Sequence, residues 1–244
     1  NIQGQVIEGS SYQRAVEGEP IGVFYMPKFL GVDPDNGDAL FLGEDDKPTN
    51  DYDAAKRVIV GDPNPDFTGG WSNQFTYKNF DLSVFVNFVV GNDIYNANKL
   101  EWTDGAFPNL NTLEIMKNRF TYINASGIRI TDPTELTKMN ANAEIWTPVN
   151  VQRWWLHSWA IEDGSYLRFN NVTLGYSLPK SMLSKLKISN FRIYGTVNNL
   201  GTITNYSAYD PDVTARRGDP LTPGVDFAAY PRARTWLFGV NVTF

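Results

Sequence analysis

The sequence contains no cysteine and a single histidine, and these two shortages exclude several kinds of active site. Without cysteine the chain can form no disulfide and no thiolate metal centre. His157 would have to serve any Ser-His-Asp triad, but no nucleophile-elbow motif lies near it, and a histidine-based zinc site needs more ligands. Glu162 and Asp163 are neighbours, which on a strand point to opposite faces, so they do not form a glycosidase pair with each other. No Walker or dinucleotide glycine-rich loop is present. We therefore expect no enzyme activity and no cofactor.

Long apolar runs and an N-terminal leader are also missing. No stretch of about 18 apolar residues occurs, so the sequence predicts no transmembrane helix. Residues 1–5 show neither the basic start nor the apolar core of a signal peptide. Either a leader has been removed or the chain begins inside a longer protein, and we expect the second. The net charge of −6 and the pI near 4.9 argue against a nucleic-acid partner.

Aromatic residues, in contrast, are abundant, with 7 Trp, 12 Tyr and 15 Phe. The charged fraction of 20% and the mean hydropathy of −0.34 resemble those of an ordinary soluble protein. A membrane β-barrel has a similarly polar average, because its strands alternate lipid-facing with lumen-facing residues. Aromatic side chains form girdles at membrane interfaces and also stack on sugars in loops.

The last ten residues, TWLFGVNVTF, alternate strictly between apolar and small or polar side chains. Trp236, Phe238, Val240, Val242 and Phe244 share one face, which is the signature of a β-strand. A length of about 9 to 11 residues also crosses a bilayer as a tilted strand. The pattern favours a membrane strand over the closing strand of a soluble sandwich.

Further alternating segments predict more strands. Residues 69–77 and 80–90 form a hairpin around a tight turn at Lys78 and Asn79, and 165–178 and 188–199 form another around the basic connection 179–187. The parity of Leu167 and Phe169 requires a bulge near residues 170–171. A weaker strand over 21–29 is interrupted by Pro27. With 235–244, the sequence predicts about six spanning strands.

Short and long connections alternate along the chain. The long ones are 30–68, 91–164 and 200–233. Outer-membrane barrels have short periplasmic turns and long external loops, so the alternation predicts a periplasmic C-terminus and three outward segments. Six strands are too few to close a barrel, and an open edge in lipid would strand backbone hydrogen-bonding groups. Either several copies combine or the chain is a fragment of a larger barrel, and we expect the fragment.

Several segments resemble the SusC/RagA family of TonB-dependent outer-membrane transporters. The similar stretches are GEPIGVFY (18–25), GVDPDNGDALF (31–41), VIVGDPNPDFTGGWSNQFTYKNFDLSVFVNFVVGNDIYN (58–96), AIEDGSYLRFNNVTLGYSLPKSMLSKLKISNFRIYGTVNNL (160–200), YDPDV (209–213) and the terminal strand. Their order and spacing match the last quarter of that family. The resemblance covers most of the chain, more thinly at 1–17 and 97–155.

The resemblance implies that residues 1–244 are the C-terminal part of an all-β, antiparallel transmembrane barrel of about 22 strands. In the family an N-terminal plug with a TonB-contacting box fills the lumen, and a SusD-like surface lipoprotein forms a lid. Family substrates are oligosaccharides and, in some members, peptides. This chain has no plug, TonB box or signal peptide, so the resemblance implies the TonB complex as a partner only through a missing plug.

Candidate substrate or partner contacts lie in the long connections. Trp102, Trp146, Trp154, Trp155 and Trp159 suit stacking on sugar rings, and the alternative is that they pack their segment onto itself or against the lid protein. Tyr209 lies in the YDPDV box. Arg216 and Arg217 would contact an acidic substrate or the partner, or would be solvated surface charges.

Two further motifs have competing interpretations. The resemblance implies that the terminal strand, with Trp236, Phe238 and Phe244, is the signal that the insertion machinery recognises; otherwise it only closes the sheet. Asp33, Asp35 and Asp38 in DPDNGD resemble a calcium loop but depart from the EF-hand pattern at the fifth and sixth positions, so a structural turn is favoured over calcium.

The leading hypothesis is active import of oligosaccharides or peptides in the Gram-negative outer membrane. A soluble carbohydrate-binding β-sandwich would use the same strands and tryptophan-rich loops. An outer-membrane enzyme or passive porin is a third possibility, against which the single histidine and the family-like segments count.

Overall fold

The computed structural model describes residues 7–8, 10–103, 111–147, 156–184, 188–214 and 221–244. The described part of the chain is mostly β-structure. Among those residues, no helix combines the length and apolar character needed to cross a membrane. By their contacts the residues group into two compact units, which are described separately. The long-strand unit comprises 65–92, 163–212 and 230–244, and the short-strand unit comprises 1–64, 93–162 and 213–229.

The strands, in chain order, are β1 (Ile7–Glu8), β2 (Gln13–Ala15), β3 (Val23–Pro27), β4 (Phe29–Val32), β5 (Ala39–Leu42), β6 (Pro48–Thr49), β7 (Arg57–Gly61), β8 (Phe67–Tyr77), β9 (Phe80–Val90), β10 (Asp93–Asn96), β11 (Ile161–Asp163), β12 (Tyr166–Ser177), β13 (Asn190–Thr204), β14 (Val225–Asp226) and β15 (Thr235–Thr243). The α-helices are α1 (Ala97–Glu101), α2 (Pro133–Met139) and α3 (Lys180–Leu183), and 3₁₀ turns span Glu114–Asn118 and Ser158–Ala160.

The long-strand unit is one five-stranded sheet in the order β15-β13-β12-β9-β8. Every neighbouring pair is antiparallel, and the strands are 9 to 15 residues long. They occur where alternation predicted 69–77, 80–90, 165–178, 188–199 and 235–244. The strand β13 continues to Thr204, so the connection to β15 begins later than the sequence indicated.

Two predicted local features, the tight turn between β8 and β9 and the bulge in β12, are confirmed. Tyr77 pairs with Phe80, so β8 and β9 are joined by a two-residue turn at Lys78 and Asn79, and Lys78 has a φ of 54°. The register of β12 shifts between Phe169 and Asn171 against both of its neighbours. This bulge returns Leu167 and Phe169 to the face that carries the apolar residues of the rest of the strand.

The weaker strand predicted over 21–29, interrupted by Pro27, is divided in the structure into β3 and β4, and neither belongs to the sheet of long strands. Only Val23–Pro27 are extended as one strand there, and β3 pairs with β2 and β7 in a four-stranded sheet of order β1-β2-β3-β7. Gly22, with a φ of 84°, precedes the strand, and Pro27 ends it because proline has no N–H to continue the ladder. Five residues are too few to cross a bilayer, which needs about 9 to 11.

The segments predicted as long connections contain their own folded structure. The short-strand unit also holds the sheet β4-β5-β6 and the parallel pair β10 and β14. Its main core is formed by buried apolar side chains, among them Phe24, Met26, Phe41, Tyr95, Ile145 and Trp146. A second cluster joins Phe120, Ile130 and Leu136. Long segments without such cores would not remain ordered, because burial of apolar area must offset their conformational entropy.

Candidate functional site

The five long strands have one apolar face. Residues directly opposite each other on neighbouring strands lie on the same face of a sheet. One row across the sheet reads Phe75, Leu82, Leu174, Gly195 and Phe238, and the next reads Asn73, Val84, Val172, Val197 and Trp236. Every strand therefore contributes apolar side chains to the same surface, and Asn73 is the polar exception in these two rows. Phe85 and Val89 of β9 and Leu237 of β15 are apolar residues that lie on the opposite face.

This apolar face is exposed. Trp71 is 65% exposed and Phe238 is 80% exposed, and Phe67, Phe75, Leu174, Ile193, Ile203 and Trp236 are also exposed. Soluble monomers seldom present a contiguous apolar patch of this extent to water. In a β-sandwich the same side chains would fill the interior between two sheets. Their exposure argues against the soluble sandwich and is what a lipid-facing surface requires.

Aromatic side chains occupy both ends of the apolar face on β8, β9 and β12. Near the β8–β9 turn, Phe80 and Tyr176 are in contact with ring centroids 4.7 Å apart. At the opposite strand ends, Phe67 and Phe88 are 6.0 Å apart. Aliphatic side chains occupy the positions between these ends on β9 and β12, namely Leu82, Val84, Val172 and Leu174. On β9 and β12 this arrangement resembles the aromatic girdles that flank the aliphatic band of membrane barrel strands, whereas on β8 and β15 aromatic side chains such as Trp71 and Phe238 also lie between the ends.

The opposite face is mostly polar and carries an ion pair that spans three strands. Arg192 in β13 donates to Asp81 in β9 through Nε (2.9 Å to Oδ1) and Nη2 (2.5 Å to Oδ2). The intervening strand places Gly175 between them, and any Cβ there would collide with both side chains. Arg192 also stacks on Tyr194, 5.0 Å from its ring centroid, and Tyr194 lies over Gly239 of β15. The interaction thus connects β9, β13 and β15.

Amides and hydroxyls extend this polar face. Asn171 Nδ2 donates to Asn198 Oδ1 at 2.8 Å, and the hydroxyls of Thr173 and Thr196 are 2.8 Å apart. These pairs join β12 to β13 on the same face as the Asp81–Arg192 ion pair. Side chains of this kind suit a wet surface that contacts polar cargo or another part of a protein.

A second charged cluster lies near the start of β12. Arg168 is 1% exposed and forms a bidentate ion pair with Asp210. Burial raises the pKa of the Asp210 carboxyl, but hydrogen bonds from Arg168 and the Asp212 N–H, together with the charge of Arg168, outweigh it. The net result is a pKa below the usual range, so Asp210 is a carboxylate at neutral pH.

The predicted residues of the terminal strand lie together. Trp236, Phe238, Val240 and Val242 lie on the apolar face, opposite Val197, Gly195, Ile193 and Phe191 of β13 respectively. All four are exposed, and Phe244 follows them at the chain end and is exposed as well. Their shared surface is compatible with lipid contact. Whether the strand is also the insertion signal stays a prediction.

The predicted tryptophans within the described residues differ in their exposure. Trp146 is 1% exposed, which contradicts stacking on substrate and supports the alternative that it packs its own segment. Trp159 is half-buried against Trp146 and stacks with the Lys99 ammonium, 4.3 Å from its ring centroid. Trp102 is 36% exposed, just after α1. The sequence also indicated Trp154, Trp155, Arg216 and Arg217, which lie outside the described residues. Tyr209 is 87% exposed, as a contact residue requires.

His157 is a core residue. Its ring is fully buried among Phe29, Phe41 and Trp146, at centroid distances of 5.0 to 5.4 Å. Burial, assisted by the charge of Lys99, lowers the pKa of His157 to about 3. The imidazole is therefore neutral at physiological pH and has a packing role.

The DPDNGD segment forms a closed turn. Asp33 Oδ1 accepts the N–H of Asp35, Asn36 Oδ1 accepts the N–H of Asp38, and the N–H of Gly37 donates to the Asp33 carbonyl. Asp38 also accepts from Asn50 at 2.9 Å. Among the residues that the structure describes, no group of three or more acidic or histidine side chains is arranged to hold a metal ion. The geometry is that of a structural turn.

The charged pairs were missed because each joins residues far apart in sequence. Asp81 and Arg192 are 111 positions apart, and Arg168 and Asp210 are 42 apart. A weak signal existed, since Asp81 and Arg192 are isolated charges at polar-face positions of predicted strands. Only the register of the sheet shows that they meet.

Comparison with known proteins gives sequence relatives among TonB-dependent receptors. The chain is 34% identical over 247 residues to TonB-dependent receptor P3 of Formosa agariphila, covering 93% of the chain and 22% of that receptor. It is 27% identical over 197 residues to TonB-dependent receptor SusC of Bacteroides thetaiotaomicron, covering 79% of the chain and 16% of SusC. No protein-family model matches the chain. The chain spans less than a quarter of the length of these relatives.

The fold resembles that of a solved transporter. A structure of the RagAB peptide transporter superposes with a TM-score of 0.76 at 22% identity, covering 98% of this chain and 24% of that one. The sequence relatives are named as TonB-dependent receptors and the solved structure as a peptide transporter, and none of these names is that of an enzyme. From the sequence matches and the shared architecture, the chain belongs to the SusC/RagA family of TonB-dependent receptors.

Proposed function

We propose that this chain forms part of the barrel wall of an outer-membrane importer, with its apolar face against lipid and its polar face toward the lumen. One observation supports this most strongly: the register of five antiparallel strands collects their apolar side chains on one exposed face. The strands are also long enough to span a bilayer. A polar lumen face and an apolar outer face are what a transport barrel requires.

The sheet is completed by further strands of the same protein. The edge strands β8 and β15 each have one neighbour among the described strands. A free strand edge inside lipid would leave backbone N–H and C=O groups without partners, at several kcal/mol each. Since the chain corresponds to about a quarter of the RagAB chain it matches, the rest of a barrel of about 22 strands lies outside it.

The cargo is an oligosaccharide or a peptide, and import involves a SusD-like lipoprotein and the TonB complex. The relatives support this assignment, since they include SusC and a peptide transporter named RagAB. In this arrangement the C-terminus is periplasmic and the segments 30–64, 93–162 and 205–233 face outward. TonB acts through an N-terminal plug domain, as the family resemblance implies. The protein changes conformation and moves cargo, and no covalent step is involved.

The terminal strand β15 is proposed to be required for assembly into the membrane. Its exposed apolar side chains end on Phe244, and its backbone completes the edge of β13. Deletion of 235–244 is expected to abolish the heat-modifiable barrel in the outer membrane. Normal assembly of the deleted protein would refute this role.

A pair of adjacent substitutions in β9 tests the lipid-facing assignment. Val84 lies on the apolar face and Ser83 on the polar face, at the same depth along the strand. Val84→Lys is expected to destabilise the folded barrel by about 2–4 kcal/mol, as lysine does at the bilayer midplane, whereas Ser83→Lys has a much smaller effect. The measurement is urea unfolding of the complete receptor in lipid vesicles. Equal effects of the two substitutions would contradict the proposal.

A further inference from the structure

Arg168 joins a long strand to the segment that follows β13. It lies on the polar face of β12, opposite Asn87 of β9 and Thr202 of β13. Its guanidinium pairs with both carboxylate oxygens of Asp210, with an Nη1–Oδ2 distance of 3.3 Å, and stacks on Tyr166 at 5.1 Å. The ion pair and the stacking fix the guanidinium plane as well as its charge.

Asp210 in turn holds both ends of the connection between β13 and β15. On the departing side, its carboxylate accepts the N–H of Asp212 at 3.0 Å. On the returning side it accepts the N–H of Arg232 at 3.4 Å, and the Arg232 guanidinium pairs with Asp212. Asn199 Nδ2 of β13 donates to the Arg232 carbonyl at 2.9 Å. The two arginines and two aspartates form a balanced cluster, which we call the Arg168 clamp.

The clamp has a consequence for Tyr209. This residue precedes Asp210 directly, and its side chain is 87% exposed. A buried ion pair contributes little net stability, because desolvation of its charges offsets their attraction. Its geometric effect is larger, since a bidentate pair with further backbone hydrogen bonds gives the segment one position. The clamp therefore holds an exposed aromatic side chain at the end of the barrel strands.

We propose that Arg168 is a positioning residue for cargo capture, fixing the 209–213 segment and Tyr209 at the pore mouth through Asp210. The inference rests on the proposed import function. Tyr209 offers cargo an aromatic face for stacking on a sugar ring or peptide group. Because the segment is ordered before cargo binds, capture does not have to overcome the entropy of ordering it.

The absence of cysteine from this chain allows a direct test by spin labelling. In the complete receptor, with any cysteine outside this chain replaced by serine, Tyr209→Cys carries a nitroxide whose mobility reports the order of the segment. Arg168→Met is expected to mobilise the label. The control Arg192→Met removes the other arginine ion pair of the polar face, which joins strand to strand, and is expected to leave the label unchanged.

A transport measurement follows in the receptor that retains Tyr209. Arg168→Met is expected to raise the cargo concentration for half-maximal uptake by about tenfold, with a smaller change in maximal rate. Asp210→Asn removes the same ion pair through its other partner. It is expected to change label mobility and half-maximal uptake in the same way, and it serves as the second variant if Arg168→Met assembles poorly. An unchanged label in both variants, or equal mobilisation by Arg192→Met, would overturn the proposal. If the receptor imports neither glycan nor peptide, the proposed function fails, while the label still tests the clamp.

Discussion

Arg192 of β13 forms a bidentate ion pair with Asp81 of β9, and the pair crosses the intervening strand at Gly175. Ion pairs in a sheet usually join adjacent strands, because directly opposite Cβ atoms are only about 4.5–5.5 Å apart. The absence of a side chain at Gly175 gives these longer side chains room to meet across β12. The glycine is therefore part of the interaction.

Substitution of Gly175 by alanine is expected to destabilise the barrel by about 1–3 kcal/mol, since the added Cβ displaces the Arg192 and Asp81 side chains. Gly201→Ala is the matched control, because a Cβ at Gly201 in β13 meets no atom within 4 Å. Urea unfolding of the complete receptor in vesicles measures both. In an Arg192→Ala background, Gly175→Ala should cost less, and an undiminished cost there would rule out this explanation.

The buried imidazole of His157 predicts acid sensitivity of the short-strand unit. Its pKa is about 3 in the folded protein, against an ordinary value near 6.5, so the unfolded state binds more protons between these pH values. The contribution of this site to stability is fully present above about pH 6.5 and is lost progressively as the pH falls towards 3. Hydrogen exchange of β5 in the complete receptor, measured at pH 7 and pH 5, reports this loss.

His157→Phe is the control for acid sensitivity, because phenylalanine suits the surrounding aromatic side chains and does not titrate. The variant should lose the part of the pH dependence that comes from this site. If β5 in the variant responds to pH as strongly as in the wild type, another group is responsible.

The exposure of each tryptophan predicts whether it stabilises the fold or is available to bind cargo. Trp146→Ala is expected to cost about 3–5 kcal/mol in the short-strand unit, as removal of a large core side chain does. Trp102→Ala, at a partly exposed position, should cost much less. Thermal unfolding, monitored by hydrogen exchange, measures the stability loss of each variant. A mild effect of Trp146→Ala on stability, with a large effect on cargo affinity, would restore the stacking interpretation for Trp146.

Sequence patterns identify the long strands well, because alternation in a two-faced sheet needs no knowledge of the neighbours. Even the bulge at Phe169 and Asn171 follows from the parity of a single strand. The segment 21–29 was predicted to join the long strands because a short alternating run is compatible with any sheet. Only the strand pairing shows that β3 belongs with β2 and β7.

The candidate site is harder to predict from the sequence than the strands are. The burial of Trp146 and the partners of Arg168 depend on contacts between distant residues, which periodicity does not encode. Tyr209 could be singled out because it lies in the YDPDV box, but the clamp beneath it requires the position of β12. Local sequence patterns thus predict which residues share a face of a strand. The pairing of strands in the folded sheet determines which charged side chains are in contact.

The lipid-facing assignment of the apolar face is tested most directly by a nitroxide scan along β9, from 80 to 90, in the complete receptor in bilayers. Accessibility to oxygen, which concentrates in lipid, and to a water-soluble nickel chelate is measured at each position. If the apolar face contacts lipid, accessibility has a period of two, with oxygen accessibility highest at Leu82 and Val84 and lower at Ser83 and Asn87. The same oxygen accessibility at both sets of positions, or contact of the even positions with the nickel chelate, would contradict it.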